Sequence, residues 1–259
     1  MWRLVLRRAV FTPSLFEISY ELPLLFAPAS GESLTSLADR QAAAADMCIF
    51  VDACLSKNGI GIYAPHHFTV FMDFPFWSYF VDYAGSLHRL DINVLEFCSA
   101  VFGVLFYVVK SLPLVTTSSA VPFHIHVWTD NSATFWKFRT HRAHYPLYVI
   151  LLQILAYVQL RWNVIVTIGH IPGHLKIYAN CLSRRFLVPH GPSIFRVLSY
   201  LPHYNLQSAW NPLMQVVALV PWKRPSAQAL VGLMLMEFFI GSISALPTSN
   251  LSMPPVKSL

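Results

Sequence analysis

The segment 127–133 joins a short apolar run to a polar stretch that can begin a helix, and Asp130 stands at the junction. A strand that ends in a carboxylate directly before a helix is how many α/β enzymes place a metal ligand or an acid–base group. Two further acids, Asp52 and Glu96, lie in other apolar segments upstream. The pattern therefore predicts an α/β domain whose chemistry lies where its strands meet its helices.

Hydrophobic patterning and turn residues predict three strands, a long helix, and then an alternation of strands and helices. The pair Asn58 and Gly59 is a hairpin signal between the first two strands, and Asp91 and either Asn131 or Ser132 can cap helices. An antiparallel unit that leads into strand–helix–strand crossovers gives a mixed sheet flanked by helices. The predicted strands are 47–55, 60–63, 67–72, 123–129 and 162–168. The predicted helices are 91–110, a short helix after Asn131, 147–161, and a helical turn that carries Asn180 and Arg184.

If the first and fourth strands are neighbours, Asp52, Glu96 and Asp130 converge on one spot. Clustered carboxylates repel each other and stay ionised only when a cation neutralises them. Hard oxygen ligands select Mg²⁺ or Mn²⁺, and two such ions can activate a water and stabilise the leaving oxygen in phosphodiester cleavage. His124 and His126, which alternate along the fourth strand, are interpreted as surface or packing residues and not as ligands.

These three acids, the His-Ile-Pro-Gly-His motif at 170–174 and the Ala-Asn-Cys-Leu-Ser-Arg motif at 179–184 resemble the ribonuclease H domain of retrotransposon reverse transcriptases, in the version found in DIRS-type and related retroelement polyproteins. The resemblance covers about residues 47–187. It implies a ribonuclease-H-like α/β fold, a mixed five-stranded sheet with flanking helices. It also implies two Mg²⁺ (or Mn²⁺) ions that cut the RNA strand of an RNA–DNA hybrid.

Carried onto this sequence, the resemblance makes Asp52, Glu96 and Asp130 metal ligands and places His170 or His174 in a mobile loop that helps product release or proton transfer. Asn180 stands where the family pattern has its fourth acid, and Lys176 stands where the pattern usually has Asn. An amide keeps one oxygen that can touch a metal but lacks the negative charge, which weakens the second cation site. Impaired hydrolysis is the expected result.

The chain carries a formal net charge of +6, which suits a polyanionic partner. Its basic residues cluster near the predicted site, where they and nearby aromatic rings can grip a nucleic-acid backbone, although a solvated helix end explains the same pattern. The residues predicted to contact nucleic acid are Asn131, Ser132, Lys137, Arg139, Arg142 and Arg184.

Three regions are predicted: a linker or truncated connection segment at 1–45, the ribonuclease-H-like domain at 46–187, and a Pro-rich, apolar and partly disordered extension at 188–259. Apolar residues make up 55% of the chain and charged residues 12%. A small membrane protein is therefore an alternative, with 229–246 as its best spanning candidate, although Glu237 interrupts it. The four cysteines show no metal spacing and are expected to be reduced and buried.

The sequence thus predicts an endonuclease of the ribonuclease H type within a retroelement reverse transcriptase, with a polymerase domain as a possible partner. The N-terminal segment has no signal-peptide pattern, so an intracellular location, cytoplasm or nucleus, is expected. The main alternative is a catalytically weakened nucleic-acid-binding or structural remnant of that domain.

Overall fold

The computed structural model describes residues 41–57, 59–73, 79–81, 87–89, 91–112, 121–141, 146–184, 198, 200–205, 240–241 and 243–245. These residues form an α/β structure with a mixed six-stranded sheet flanked by helices and a separate two-stranded ribbon. The strands are β1 Met47–Cys54, β2 Gly59–Ala64, β3 Phe68–Asp73, β4 Tyr79–Val81, β5 Leu87–Arg89, β6 Phe123–Thr129, β7 Val164–His170 and β8 His203–Asn205. The α-helices are α1 Ile92–Ser111, α2 Ser132–Thr140, α3 Pro146–Trp162 and α4 Ile177–Ser183, with 3-10 turns at Leu55–Lys57 and Gly173–Leu175.

The strand order of the large sheet is β7-β6-β1-β2-β3-β8. Strands β1, β2 and β3 form an antiparallel meander, whereas β6 runs parallel to both β1 and β7. The first and fourth predicted strands correspond to β1 and β6. They are neighbours in the sheet, because Phe50 of β1 lies opposite Trp128 of β6. Asp52 comes two residues after Phe50, and Asp130 comes two residues after Trp128. Both acids therefore lie at the same end of the sheet.

The predicted number of five strands was wrong, because β8 adds a sixth. It comes from the segment predicted to be an extension and pairs in parallel with β3, with Thr69 opposite His203. The ring of Tyr204 packs against Phe68 and Phe106, at centroid distances of 6.3 and 4.8 Å. Three residues are too few to show a strand period in sequence, which is why patterning missed this element.

Helix α1 forms the centre of the core. Its first turn is capped by Asp91, whose Oδ1 accepts a hydrogen bond of 2.8 Å from the backbone N–H of Val94, as predicted. Gly103 lets the helix approach the sheet, since a Cβ there would lie 3.2 Å from Ile49 and 3.3 Å from Ile62. The other side of α1 packs against α3.

By length and composition α1 is also apolar enough to cross a membrane, with a mean hydropathy of 2.0. Its apolar window is 83% buried inside the protein. The spanning candidate 229–246 lies mostly outside the described residues. So do the predicted hairpin residue Asn58 and almost all of the predicted linker 1–45.

Helix α4 lies on the opposite face of the sheet from α1. Successive side chains of a strand point to opposite faces. Ile62 of β2 packs toward Gly103 of α1, and a Cβ on Gly61 would lie 2.3 Å from the backbone oxygen of Ala179 and 2.5 Å from the backbone nitrogen of Ser183. The missing side chain of Gly61 therefore brings α4 into direct contact with the sheet.

Candidate functional site

Three acids from three separate elements meet at one end of the sheet. Asp52 is in β1, Glu96 is in the second turn of α1, and Asp130 directly follows β6. Ligand oxygens of these side chains all lie within 4.8 Å of one another. The convergence predicted from sequence is thus confirmed, whereas the role of these acids as metal ligands stays a prediction.

Hydrogen bonds from neighbouring strands fix the position of Glu96. Its Oε1 accepts a bond of 3.0 Å from the backbone N–H of Ala53, and its Oε2 accepts one of 3.3 Å from the hydroxyl of Thr129. Asp52 accepts a hydrogen bond from the Ser183 hydroxyl at the end of α4. The acidic centre therefore ties α1 and α4 to the two adjacent strands β1 and β6.

Lys176 places its ammonium between the three carboxylates. Its Nζ lies 2.5 Å from Oδ1 of Asp130, 2.7 Å from Oδ1 of Asp52 and 3.6 Å from Oε1 of Glu96. It also donates a hydrogen bond of 2.9 Å to the backbone oxygen of Val51. The Lys176 side chain is 0% exposed, whereas that of Asp130 is 32% exposed. Of these four side chains, that of Asp130 is the one exposed to solvent, and the other three are buried.

The residues of this centre do not fit two divalent cations in the arrangement observed. Carboxylate oxygens suit Mg²⁺ or Mn²⁺, which hold oxygen ligands at roughly 2.0–2.1 Å for Mg²⁺. The ammonium of Lys176 already contacts the same oxygens of Asp52 and Asp130 at ion-pair distance. A metal ion can bind those oxygens only after Lys176 leaves them.

Sequence reasoning placed Lys176 in a basic cluster and treated it as a departure from a family pattern, but not as a partner of the acids. A signal was nevertheless present, because Lys176 is a charged residue between Leu175 and Ile177, close in sequence to Asn180, where the family pattern has its fourth acid. Buried acids require a counter-charge, and a basic residue in such a segment is a candidate for it.

The electrostatics of the cluster follow from its burial. Burial raises the pKa of Glu96 to about 7, with Lys176 lowering it and the charges of Asp52 and Asp130 raising it. Burial acts to lower the pKa of Lys176, but Glu96, Asp52 and the bond to Asp130 outweigh it and hold that pKa above its ordinary value. Lys176 is therefore a permanent cation near neutral pH and not a nucleophile.

Asn180 lies in α4 and uses its side chain to hold the preceding turn. Its Nδ2 donates a hydrogen bond of 2.9 Å to the backbone oxygen of Gly173. Its Oδ1 is buried and has no hydrogen-bond partner among the described residues. The backbone oxygen of Asn180 accepts a bond of 3.1 Å from Ser183, whose hydroxyl also donates to Asp52. Asn180 thus supports the loop beside the centre, and its predicted part in metal binding stays a prediction.

The histidine motif passes directly over Asp130. A Cβ on Gly173 would lie 2.5 Å from Oδ2 of Asp130, so a larger residue there would force the Asp130 carboxylate to shift. His170 is exposed and its Nε2 lies 3.0 Å from the backbone oxygen of Asp130. His174 is exposed within the 3-10 turn. Their predicted catalytic roles stay predictions.

The other two histidines considered from sequence lie on β6 and contact a neighbouring strand. His124 Nε2 and His126 Nδ1 are each 2.7 Å from the hydroxyl oxygen of Thr167 on β7. Burial and the nearby His124 lower the pKa of His126 to about 3. The predicted packing role fits these contacts.

The residues predicted to contact nucleic acid occupy different environments. Asn131 caps α2, since its Oδ1 accepts from the backbone N–H of Thr134 at 2.8 Å and its Nδ2 donates to Asn93. Ser132 and Arg184 are exposed. The ammonium of Lys137 lies 4.1 Å from the ring centre of Tyr148, Arg139 is partly buried beside Phe135, and Arg142 lies outside the described residues.

A comparison with protein-family models gives no match to this chain, and a comparison with curated proteins gives none either.

Proposed function

We propose that this chain is a ribonuclease-H-type domain of a retroelement reverse transcriptase that binds RNA–DNA hybrids without cutting them. The proposal rests first on the sequence resemblance over about residues 47–187. The mixed sheet flanked by helices and the meeting of Asp52, Glu96 and Asp130 are compatible with that family. The observation that favours binding over cutting is the position of Lys176.

Hydrolysis of the ribonuclease H type needs cations with open coordination positions, because they supply the activated water and stabilise the leaving oxygen. The ammonium of Lys176 contacts Asp52 and Asp130 and balances part of their charge. Its N–H groups point to protein acceptors, and an ammonium that stays protonated cannot generate a hydroxide. The closed centre therefore supports a domain that does not cut.

Basic and aromatic side chains adjoin both sides of the centre. Helix α2 begins two residues after Asp130 and carries Lys137 and Arg139 in its last turn, together with Trp136, which is 48% exposed. Helix α4 begins directly after Lys176, and the exposed Arg184 follows its last turn. Positive groups neutralise phosphates, and an exposed aromatic ring can stack on a base.

Hydrolysis dependent on Mg²⁺ or Mn²⁺ is the second candidate. The observation that favours it is the close grouping of the three acids, whose ligand oxygens lie within 4.8 Å of one another. This function requires a state in which Lys176 has withdrawn from Asp52 and Asp130. Binding and cutting can therefore be separated by their dependence on the cation.

The test is a binding and cleavage assay with the full 259-residue chain and a labelled RNA–DNA hybrid. Binding is expected to persist in EDTA, to weaken as salt rises, and to weaken several-fold in an Arg139→Gln/Arg184→Gln variant. Arg161→Gln is the matched control, since Arg161 is exposed at the end of α3. An absence of hybrid binding at low salt would overturn the proposal.

Cleavage is expected to be absent from the wild-type chain in both Mg²⁺ and Mn²⁺. Cutting that disappears in an Asp130→Asn variant would instead establish the second candidate. A Lys176→Asn/Asn180→Asp variant restores the residue types that the family pattern has at both positions. Cutting that appears only in this variant would show that the centre descends from a nuclease and that Lys176 and Asn180 disable it.

A further inference from the structure

We propose that Lys176 is a tethered counter-ion that takes the place of a divalent cation and keeps such cations out of the acidic centre. The inference goes beyond nucleic-acid binding, because it concerns how the centre is held in the folded chain. Like the proposed function, it rests on the position of Lys176. Its test measures the stability of the chain and needs no nucleic acid.

The first support is the coordination of the ammonium. An ammonium has three N–H donors. Asp52, Asp130 and the backbone oxygen of Val51 lie at 2.7, 2.5 and 2.9 Å from Nζ, and Glu96 adds a fourth oxygen at 3.6 Å. A cluster of four oxygens around one positive charge is the environment that a hard cation prefers. Lys176 thus satisfies the acceptors that a divalent ion would use.

The second support is burial and charge balance. Lys176 is 1% exposed, Asp52 4% and Glu96 3%. Lysine is almost never buried without a partner, and grouped carboxylates at such depth need a cation or a proton. Lys176 therefore compensates part of the charge of the buried acids from within the protein, and the more exposed Asp130 also contacts solvent.

The third support is the position of Lys176 in the chain. It lies between the 3-10 turn Gly173–Leu175 and helix α4, so its ion pair with Asp52 fixes the beginning of that helix. Ser183 at the end of α4 donates to the other carboxylate oxygen of Asp52. Both ends of α4 are thereby joined to one acid on β1, and an incoming cation must break the first of these links.

The test measures the melting temperature of the full chain in EDTA, Mg²⁺ and Mn²⁺. The melting temperature of the wild-type chain is expected to be the same in all three solutions. A Lys176→Met variant, whose side chain is unbranched, uncharged and one atom shorter, is expected to melt lower in EDTA. It should recover about 3–6 °C in 10 mM Mn²⁺ if the vacated site binds with a Kd of about 1 mM.

Lys110→Met is the control, because Lys110 lies at the far end of α1 from Glu96. The melting temperature of this control should not change with cations.

A wild-type protein that Mg²⁺ or Mn²⁺ stabilises would overturn the proposal, and so would a folded Lys176→Met variant that no cation stabilises. If that variant is unfolded in EDTA, refolding on addition of Mn²⁺ supports the proposal and failure to refold overturns it. None of these results depends on hybrid binding, so failure here is distinguishable from failure of the proposed function.

Discussion

Lys176 and Asp52 form an ion pair of 2.7 Å in which both side chains are almost completely buried. The two residues lie far apart in the chain, one before α4 and the other in β1. A buried pair need not stabilise a fold more than an apolar pair would, but removal of one partner leaves the other charge without compensation. The pair therefore makes the fold sensitive to single changes on either side.

Asp52→Asn is expected to lower the free energy of unfolding by about 2–4 kcal/mol, because Lys176 loses one of its two closest carboxylates. Urea unfolding followed by circular dichroism measures the effect. Asp91→Asn is the matched control, since Asp91 is an exposed N-cap and asparagine caps a helix equally well. Equal stability of the two variants would contradict the expectation.

Gly61→Ala is expected to destabilise the fold by about 2–3 kcal/mol or to prevent folding. The added Cβ would lie 2.3 Å from the backbone oxygen of Ala179, and backbone atoms of α4 cannot move away without loss of the helix contact. Gly241→Ala is the control, because a Cβ there meets nothing within 4 Å. Thermal melting of the two alanine variants should give clearly different midpoints, and a stable Gly61→Ala protein would contradict the packing described for α4.

His203 is expected to make the fold less stable in acid. Burial lowers its pKa from 6.5 to about 4. Between these values the unfolded chain binds a proton that the folded chain does not, so the stability present above pH 6.5 is lost as pH falls toward 4. The loss amounts to about 3 kcal/mol. Urea unfolding from pH 4 to 7 should show this difference between wild type and His203→Gln, and parallel curves would contradict it.

A chain that ends at residue 187 is expected to be less soluble and less stable than one that ends at residue 246. The shorter chain lacks β8, so the edge of β3 and the rings of Phe68 and Phe106 lose their partners. An unpaired strand edge promotes association between chains. Soluble yield and sedimentation of the two chains measure the effect, and equal behaviour would show that β8 contributes little.

Much of the fold was predictable from local sequence signals. The cap at Asp91 and the apolar segment after it gave α1 to within about two residues, and Asn131 marked the start of α2. The meeting of the acids was predicted on the condition that the first and fourth strands are neighbours, and the parallel pairing of β1 with β6 meets that condition.

Other features depend on tertiary contacts that carry no local pattern. The position of the Lys176 ammonium depends on the conformation of a long side chain and on the packing of α4. Residue spacing in the sequence does not determine either. The contact at Gly61 appears only when α4 lies on the sheet. Strand β8 has three residues, and its pairing with β3 depends on burial of Tyr204 and His203 at a distance along the chain.

The pairing of β3 with β8 also has a consequence for synthesis on the ribosome. His203 comes 134 residues after its hydrogen-bond partner Thr69. At translation rates of about 5–20 residues per second, that interval lasts on the order of 10 s. During this time β8 cannot cover the edge of β3. Completion of the six-stranded sheet therefore has to wait until residue 205 has been synthesised.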